Sequence, residues 1–410
     1  SVIDSKLSCC HVQQLRPDMP ESVENDKETK QPESPKTNET TTEVIEEPVK
    51  QMKAVVLTGF GGLKALKLME KPEPAVKEGH VLIKVKSCGL NFQDLMARQG
   101  AIDIAPKTPF IMGIECAGDV VAVGENVEIK VGSRVAALTD YGSWAEFVVC
   151  PANNVFPIPK NMSYNDAVAI TLSSTVAYMM LFEIGNLKKG KTVLVHSAGG
   201  AVGLAISQLC KTVPDVTLIG VASSNKHEAI KDSFTHLIER GQDYCSEVRK
   251  ISPEGVDLVL DCLCGEDCNK GYSLLKPMGT YILYGSSNIV TGETKSFFSA
   301  AKSWWQVDKV SPLKLYEENR TLSGFNLRHL LYVQNQSQYV KDIVKNVMDL
   351  WKSKNLKSVI DSTWALDDVA EAMQKMHDRK NVGKIIFDLS LERKVQEAKP
   401  AENEADAKEN

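Results

Sequence analysis

The residues with the clearest chemical potential lie between Lys191 and Cys210, in the run K-T-V-L-V-H-S-A-G-G-A-V-G-L-A-I-S-Q-L-C. An apolar, β-branched stretch from Thr192 to His196 stops at Ser197, Ala198, Gly199 and Gly200, and Val202, Ala205, Ile206 and Leu209 then follow at helical spacing. Strand, glycine turn and helix in that order make the opening of a dinucleotide-binding βαβ unit. Gly200 lets a backbone approach a pyrophosphate, and Gly203 lets the helix pack tightly on its strand. The helix N-terminus, beginning at Ala201 and Val202, offers free N–H groups to the anion. The fingerprint reads AxGxxG, with Ala198 in place of the first glycine. Glycines at such turns also serve packing alone, and it is the surrounding α/β texture that favours a cofactor.

A ribose 2′-hydroxyl is usually held by an acid about 20 residues beyond the glycine turn. Here that place reads Gly220, Val221, Ala222, Ser223, Ser224, Asn225, Lys226, with no acid before Glu228. Ser223, Ser224 and Lys226 suit a 2′-phosphate, which needs donors and positive charge. The expected cofactor is therefore NADPH rather than NADH. The plainer alternative makes Lys226 a solvated residue in the first turn of a helix.

Elements on either side must hold this unit in place. Short strands separated by glycine turns are expected at Lys53 to Thr58, Val81 to Lys86, Cys116 to Val123, Ser133 to Leu138 and Trp144 to Cys150, which together read as a barrel-like β domain. Ser163 and Asp166 resemble a helix cap, and a further helix is expected from Thr175 through Leu181 to Ile184. Strands at Thr192 to His196, Val216 to Val221, Asp257 to Leu263 and Thr280 to Tyr284 alternate with helices, the texture of a doubly wound parallel sheet. Beyond about residue 310 a helix at Asp367 to His377 and a closing strand at Lys384 to Asp388 are assigned back to the first domain. The resulting division is a tail over residues 1–50, a β domain over 51–174, a dinucleotide-binding domain over 175–310, a return over 311–391 and a second tail over 392–410. Both tails are rich in charged and small polar residues and read as disordered.

A chain of 410 residues exceeds the usual single-core range. Its net charge of -5, with no long basic stripe, argues against a general nucleic-acid binder. The ten cysteines are scattered, many in apolar runs, and read as reduced thiols of a cytosolic protein. Cys262, Cys264 and Cys268 lack the spacing of a zinc loop and read as a packed strand end. No uninterrupted apolar run approaches the ~20 residues that span a bilayer. No secretory signal pattern opens the chain.

Two motifs together carry a family resemblance. Cys88-Gly89-Leu90-Asn91-Phe92-Gln93-Asp94 and Val195-His196-Ser197-Ala198-Gly199-Gly200-Ala201-Val202-Gly203, in the order β domain, dinucleotide unit and return, resemble the medium-chain dehydrogenase/reductase superfamily. Over about residues 52 to 390 the chain is similar to the quinone oxidoreductase branch. Within it, Thr291 to Phe298 and Lys302 to Val307 resemble the synaptic vesicle amine transport protein homologues. The resemblance implies an α/β chain with a GroES-like β-barrel catalytic domain and a Rossmann doubly wound parallel sheet.

The resemblance also implies roles, residue by residue. Zinc alcohol dehydrogenases of the superfamily place a Cys where this chain has Asn91 and a His where it has Ile114, and their structural-zinc cysteines have no counterpart. The expectation is no zinc and no alcohol oxidation, because no Lewis acid would ionise an alcohol. In the quinone oxidoreductase branch an Asn, a Tyr and a Thr line the nicotinamide pocket: Asn91 and Thr175 match, and Ile102 stands at the Tyr position. Asn91 and Thr175 are the expected catalytic residues, although a turn-stabilising role for one and a helix cap for the other fit the bare sequence. Arg240 stands where the family places a 2′-phosphate contact, Gly285 and Ser286 approach the nicotinamide side, and Lys384 is either a cofactor contact or a surface charge. The family's dimers form at the edge of the Rossmann sheet, and Thr280 to Tyr284 is apolar enough to do so.

Two functions follow as expectations. The first is an NADPH-dependent reductase passing hydride to a quinone or an α,β-unsaturated carbonyl, a small electrophilic acceptor. The second is a binding or scaffold protein that keeps the NADPH pocket and associates peripherally with vesicle membranes. It draws on Lys295 to Lys309, where Phe297, Phe298, Ala301, Trp304 and Trp305 fall at helical spacing. Such a stripe also packs on cores and dimer interfaces.

Overall fold

The computed structural model describes residues 50–102, 104–290, 292 and 306–393. Both expected tails, apart from their innermost residues, and the aromatic stretch up to Trp305 lie outside them.

Alternating apolar residues build the N-terminal strands. They are β1 (Gln51–Leu57), β2 (Leu66–Pro72), β3 (His80–Leu90), β4 (Phe110–Ile111), β5 (Glu115–Val123), β6 (Arg134–Leu138), β7 (Phe147–Pro151) and β8 (Val155–Pro157). In β3, Val81, Ile83 and Val85 are buried while Lys84 is exposed, the period of two expected of a strand with one wet face. β1 is flanked by β2 and β4, while β3 pairs antiparallel with both β5 and β7.

The chain then leaves this layer through a helix over Tyr164–Tyr178 that continues, without a break, as a π-helical segment over Met179–Ile184. Ser163 Oγ accepts from the Asp166 N–H at 3.0 Å, so the expected cap is present. The helix expected to start at Thr175 is instead the later part of this one. It is the helix among the described residues that is long and apolar enough to cross a membrane, but most of it is buried inside the protein. Ala, Ser and Thr bury its flanks all round, which lets it sit between the two sheets: its core cluster joins Ala136 and Phe156 of the β layer to Val193 and Leu258.

The second sheet contains β9 (Thr192–His196), β10 (Thr217–Ala222), β11 (His236–Glu239), β12 (Val256–Asp261), β13 (Leu275–Leu283) and β14 (Thr321–Gly324). All six are parallel, in the spatial order β11-β10-β9-β12-β13-β14. This is the doubly wound order with its crevice beside β9. β9 is buried at every residue, as a strand covered on both faces must be.

Two expectations change here. The parallel sheet does not end near residue 310, because β14 joins it beyond that point. Nor is the strand through Thr280 to Tyr284 an edge: β14 covers it and is itself the edge among the described residues. Four residues with largely exposed side chains carry no alternation from which a strand could be read. The return to the β layer comes later, with β15 (Ile360–Trp364) and β16 (Lys384–Asp388), where β16 pairs antiparallel with β3.

Candidate active site

A cavity of about 1240 Å³ lies between the β layer and the parallel sheet. At one end is the turn after β9. Its left-handed residue is Ser197, φ 57°, and not Ala198, so the turn does not need a glycine at 198. Ala198 is buried beneath the turn, where its methyl faces Gly220. At Gly203 a Cβ would meet the Ala198 carbonyl oxygen at 2.5 Å, so this glycine sets the fit of helix Ala201–Cys210 against its strand. At Gly200 a Cβ would meet only the Ser197 oxygen, at 3.2 Å, and the backbone there borders the cavity.

Three cations gather beside that turn. Lys226 is buried, and its Nζ donates to the Asn381 carbonyl at 2.5 Å, which rules out the solvated-lysine alternative. Burial holds its ammonium below the usual range against the opposing effect of Asp361, and Arg379 and Arg240 push the same way as burial. Burial, with Arg240 nearby, brings the Arg379 guanidinium down to about 10. Like charges held together this way make a site for an anion. Arg379 and Asn381 were not visible as site residues in sequence, since they lie more than a hundred residues from the glycine turn.

The floor of the cavity is made by three neighbouring strands and reaches the glycine turn itself, where the Gly383 N–H donates to the Gly199 carbonyl at 3.0 Å. Lys384, at the start of β16, donates from Nζ to Asn91 Oδ1 at 2.6 Å and to Glu115 Oε1 of β5. Asn91 Nδ2 donates to the same Glu115 oxygen at 2.8 Å. The Lys384 and Glu115 side chains are 1% and 2% exposed, so this is a buried ion pair and not a surface charge. Gly89, between them, makes room: a Cβ there would collide with Glu115 Oε1 and lie 2.8 Å from Lys384 Cε. Asp94 is buried beside the pair and accepts the Asn91 backbone N–H at 2.8 Å. Burial is the main cause raising its carboxyl to about 7. Glu115 was missed as a site residue; an acid in the apolar run Ile114 to Val123 was the available signal.

Above this floor the walls are apolar, with Phe92, Met96, Ile102, Ile114, Leu138 and Leu172 among them. Of the expected site residues, Asn91, Gly199, Gly200, Ala201, Val202, Gly203, Ser223, Lys226, Arg240, Gly285, Ser286 and Lys384 all line the one cavity. Thr175, Ala198 and Ser224 are not among its lining residues. Thr175 is buried within its helix and donates to the Thr171 carbonyl at 2.6 Å, so it caps nothing. Ser224 opens its helix with an exposed side chain.

The Alcohol dehydrogenase GroES-like domain matches residues 77–160, and the Zinc-binding dehydrogenase family matches residues 228–387. A mouse protein named Synaptic vesicle membrane protein VAT-1 homolog-like is 57% identical over 341 residues, 83% of this chain and 82% of that protein. The chain belongs to the medium-chain dehydrogenase/reductase superfamily. Among solved structures, the human VAT-1 homolog-like protein is 49% identical, with a TM-score of 0.74 over 83% of this chain and 99% of that one. A mycobacterial protein solved in complex with NADPH is 26% identical, with a TM-score of 0.72 over 82% of this chain and 99% of that one. The superfamily accounts for the β layer, the parallel sheet and the cavity between them.

Proposed function

We propose that this chain is a zinc-independent, NADPH-dependent reductase of quinone oxidoreductase type that transfers hydride to a quinone or an α,β-unsaturated carbonyl. The observation that carries the reading is one cavity lined by three cations, a glycine turn and a buried polar floor under apolar walls. The NADPH bound in the mycobacterial relative supports the choice of cofactor.

The residues fit the dinucleotide. Lys226, Arg240 and Arg379 would hold the 2′-phosphate, with Ser223 beside them, and the turn at Gly199 and Gly200 would take the pyrophosphate. Gly285 and Ser286 would border the nicotinamide. When bound, NADPH supplies the hydride. Phe92, Ile102 and Leu172 exclude water and hold a flat acceptor, and Asn91 and Lys384 lie under it. Orientation is most of what such a transfer asks of the protein.

The donor set does not suit a catalytic zinc. Asn91 and Ile114 occupy the places of zinc ligands in the family's alcohol dehydrogenases, and the ammonium of Lys384 already lies against Glu115. Among the described residues no three His, Cys, Asp or Glu side chains are placed to hold a metal.

The edge strand β14, with Leu322 44% exposed, is the surface offered for a homodimer. A second reading, a peripheral vesicle-associated protein of the cytosol that retains the pocket, is favoured by the names of the relatives. Titration of the purified protein with NADPH and NADH, followed by NADPH oxidation with a panel of quinones and enones, separates these. NADPH binding with turnover supports the reductase. Binding without turnover, together with flotation on liposomes, would favour the second reading, and absence of binding would overturn both.

A further inference from the structure

Ile102, in the apolar wall of the cavity, has no proton to give and no dipole to offer an oxygen. An acceptor carbonyl that gains hydride at carbon develops negative charge on oxygen, and that charge must be met in a cavity with apolar walls. We propose that Lys384 meets it, as a catalytic residue that hydrogen-bonds the acceptor oxygen and delivers its proton, with Glu115 as the positioning residue. This rests on the reductase reading above.

The geometry carries the assignment. An ammonium has three N–H donors. Two are used within the floor, on Asn91 Oδ1 and Glu115 Oε1, and the third finds no protein acceptor among the described residues. Lys384 and Asn91 both line the cavity, at its floor. Asn91 cannot serve in its place, because an amide gives up no proton, and its Oδ1 already accepts from Lys384 while its Nδ2 donates to Glu115. Glu115 Oε2 is buried with no hydrogen-bond partner, so the pair is not arranged for its own satisfaction. A pair serving stability alone would have both carboxylate oxygens bonded. The other cations of the cavity have tasks of their own. Lys226, Arg240 and Arg379 are assigned to the 2′-phosphate, and Arg328 bonds Asp140 at 2.7 Å and the Ile104 carbonyl at 3.2 Å.

The step balances. The hydrogen and two electrons added at carbon come from the dinucleotide, which is oxidised. The acceptor's π electrons move to its oxygen, the Nζ–H bond of Lys384 breaks as the O–H bond forms, and the resulting amine regains a proton from water. Glu115 holds the ammonium in place before the step.

Two variants test this. Lys384→Met alone would strand Glu115 as a buried unpaired carboxylate, so the pair is removed together in K384M/E115Q, and K384R keeps the charge while withholding the proton. The first readout needs no turnover: 4-nitrophenol, an oxyanion mimic, is bound in the presence of NADP⁺ and its ionisation followed by absorbance. In the wild type the bound phenol should ionise at least about one pH unit lower than in solution. The shift should persist in K384R and vanish in K384M/E115Q. In the second readout, kcat on an enone should fall about 100-fold or more in K384R and in the double variant, with NADPH affinity unchanged. A wild type that shifts nitrophenol without turning over any acceptor sinks the reductase reading but leaves the oxyanion site in place. A wild type that produces no shift, or a double variant that matches it in shift or in kcat, overturns the assignment of Lys384.

Discussion

Lys384 Nζ and Asn91 Oδ1 are 2.6 Å apart although 293 positions separate them in the chain. β16 runs antiparallel to β3 with Ile385 opposite Leu90, so one further step along both strands places Lys384 opposite Asn91. The contact therefore depends on sheet register, and a slip of one residue would turn every side chain of β16 to the other face.

That register leaves space for a side-chain pair only because residue 89 has no side chain. Gly89→Ala puts a methyl into Glu115 Oε1 and against Lys384 Cε. Breaking a buried pair in this way costs about 3–5 kcal/mol. The expected outcome is a G89A protein with its urea midpoint lowered accordingly, and a G89A protein of wild-type stability would contradict the proposed packing.

Asp94 makes the stability of the fold depend on pH. Its carboxyl is raised to about 7, first by burial and further by Glu115, while the Asn91 N–H and Lys384 oppose the shift. The folded state therefore holds a proton that the unfolded state has lost, and stability from this group falls as pH rises from about 4 to 7 and is flat above. The full effect is about 4 kcal/mol. Asp94→Asn keeps an oxygen to accept the Asn91 N–H and has no proton to lose. Denaturation of both proteins at pH 5 and pH 8 should show the wild type losing more stability than D94N, and equal losses would refute the buried-acid account.

The cation cluster predicts cofactor choice. Removing one charge-assisted contact costs about 1.5–3 kcal/mol, roughly 10- to 100-fold in affinity. Arg379→Gln should therefore weaken NADPH by that factor and leave NADH almost unchanged, as read by fluorescence titration. An equal loss for both would place Arg379 away from the 2′-phosphate.

Cys264 should be the thiol most reactive near neutral pH. A hydrogen bond with Cys268 brings it down to about 7, against the opposing effect of burial. Alkylation by iodoacetamide, followed by peptide mass spectrometry, should favour Cys264. In Cys268→Ala its half-rate should move up toward the ordinary thiol value near 8.5. An unchanged pH profile would remove Cys268 from the account.

The edge of the parallel sheet predicts the assembly. Among the described residues β14 has no strand on its outer side, and a lysine on such an edge opposes strand addition. Leu322→Lys should shift a dimer to monomer in sedimentation at micromolar concentration. A dimer unaffected by L322K would place the interface elsewhere.

Much of the architecture was legible before any coordinates. Thr192–His196 and Lys384–Asp388 have the bounds their apolar runs indicate, and the glycine turn, the Ser163 cap and the two-layer organisation follow from local chemistry that each segment carries itself. Strand and helix periodicity, turn residues and caps act over a few positions, so these elements and the family they resemble can be read from the chain alone. The rest depends on contacts across hundreds of residues. Only the tertiary structure decided that β14 closes the parallel sheet, because an exposed four-residue strand has no periodicity to announce it. Thr175 matches the family's motif, yet its helix buries the hydroxyl on its own backbone. Lys384 looked equally fit for surface or cofactor, and it became an internal ion pair because three adjacent strands bring Glu115, Gly89 and Lys384 together where water is excluded.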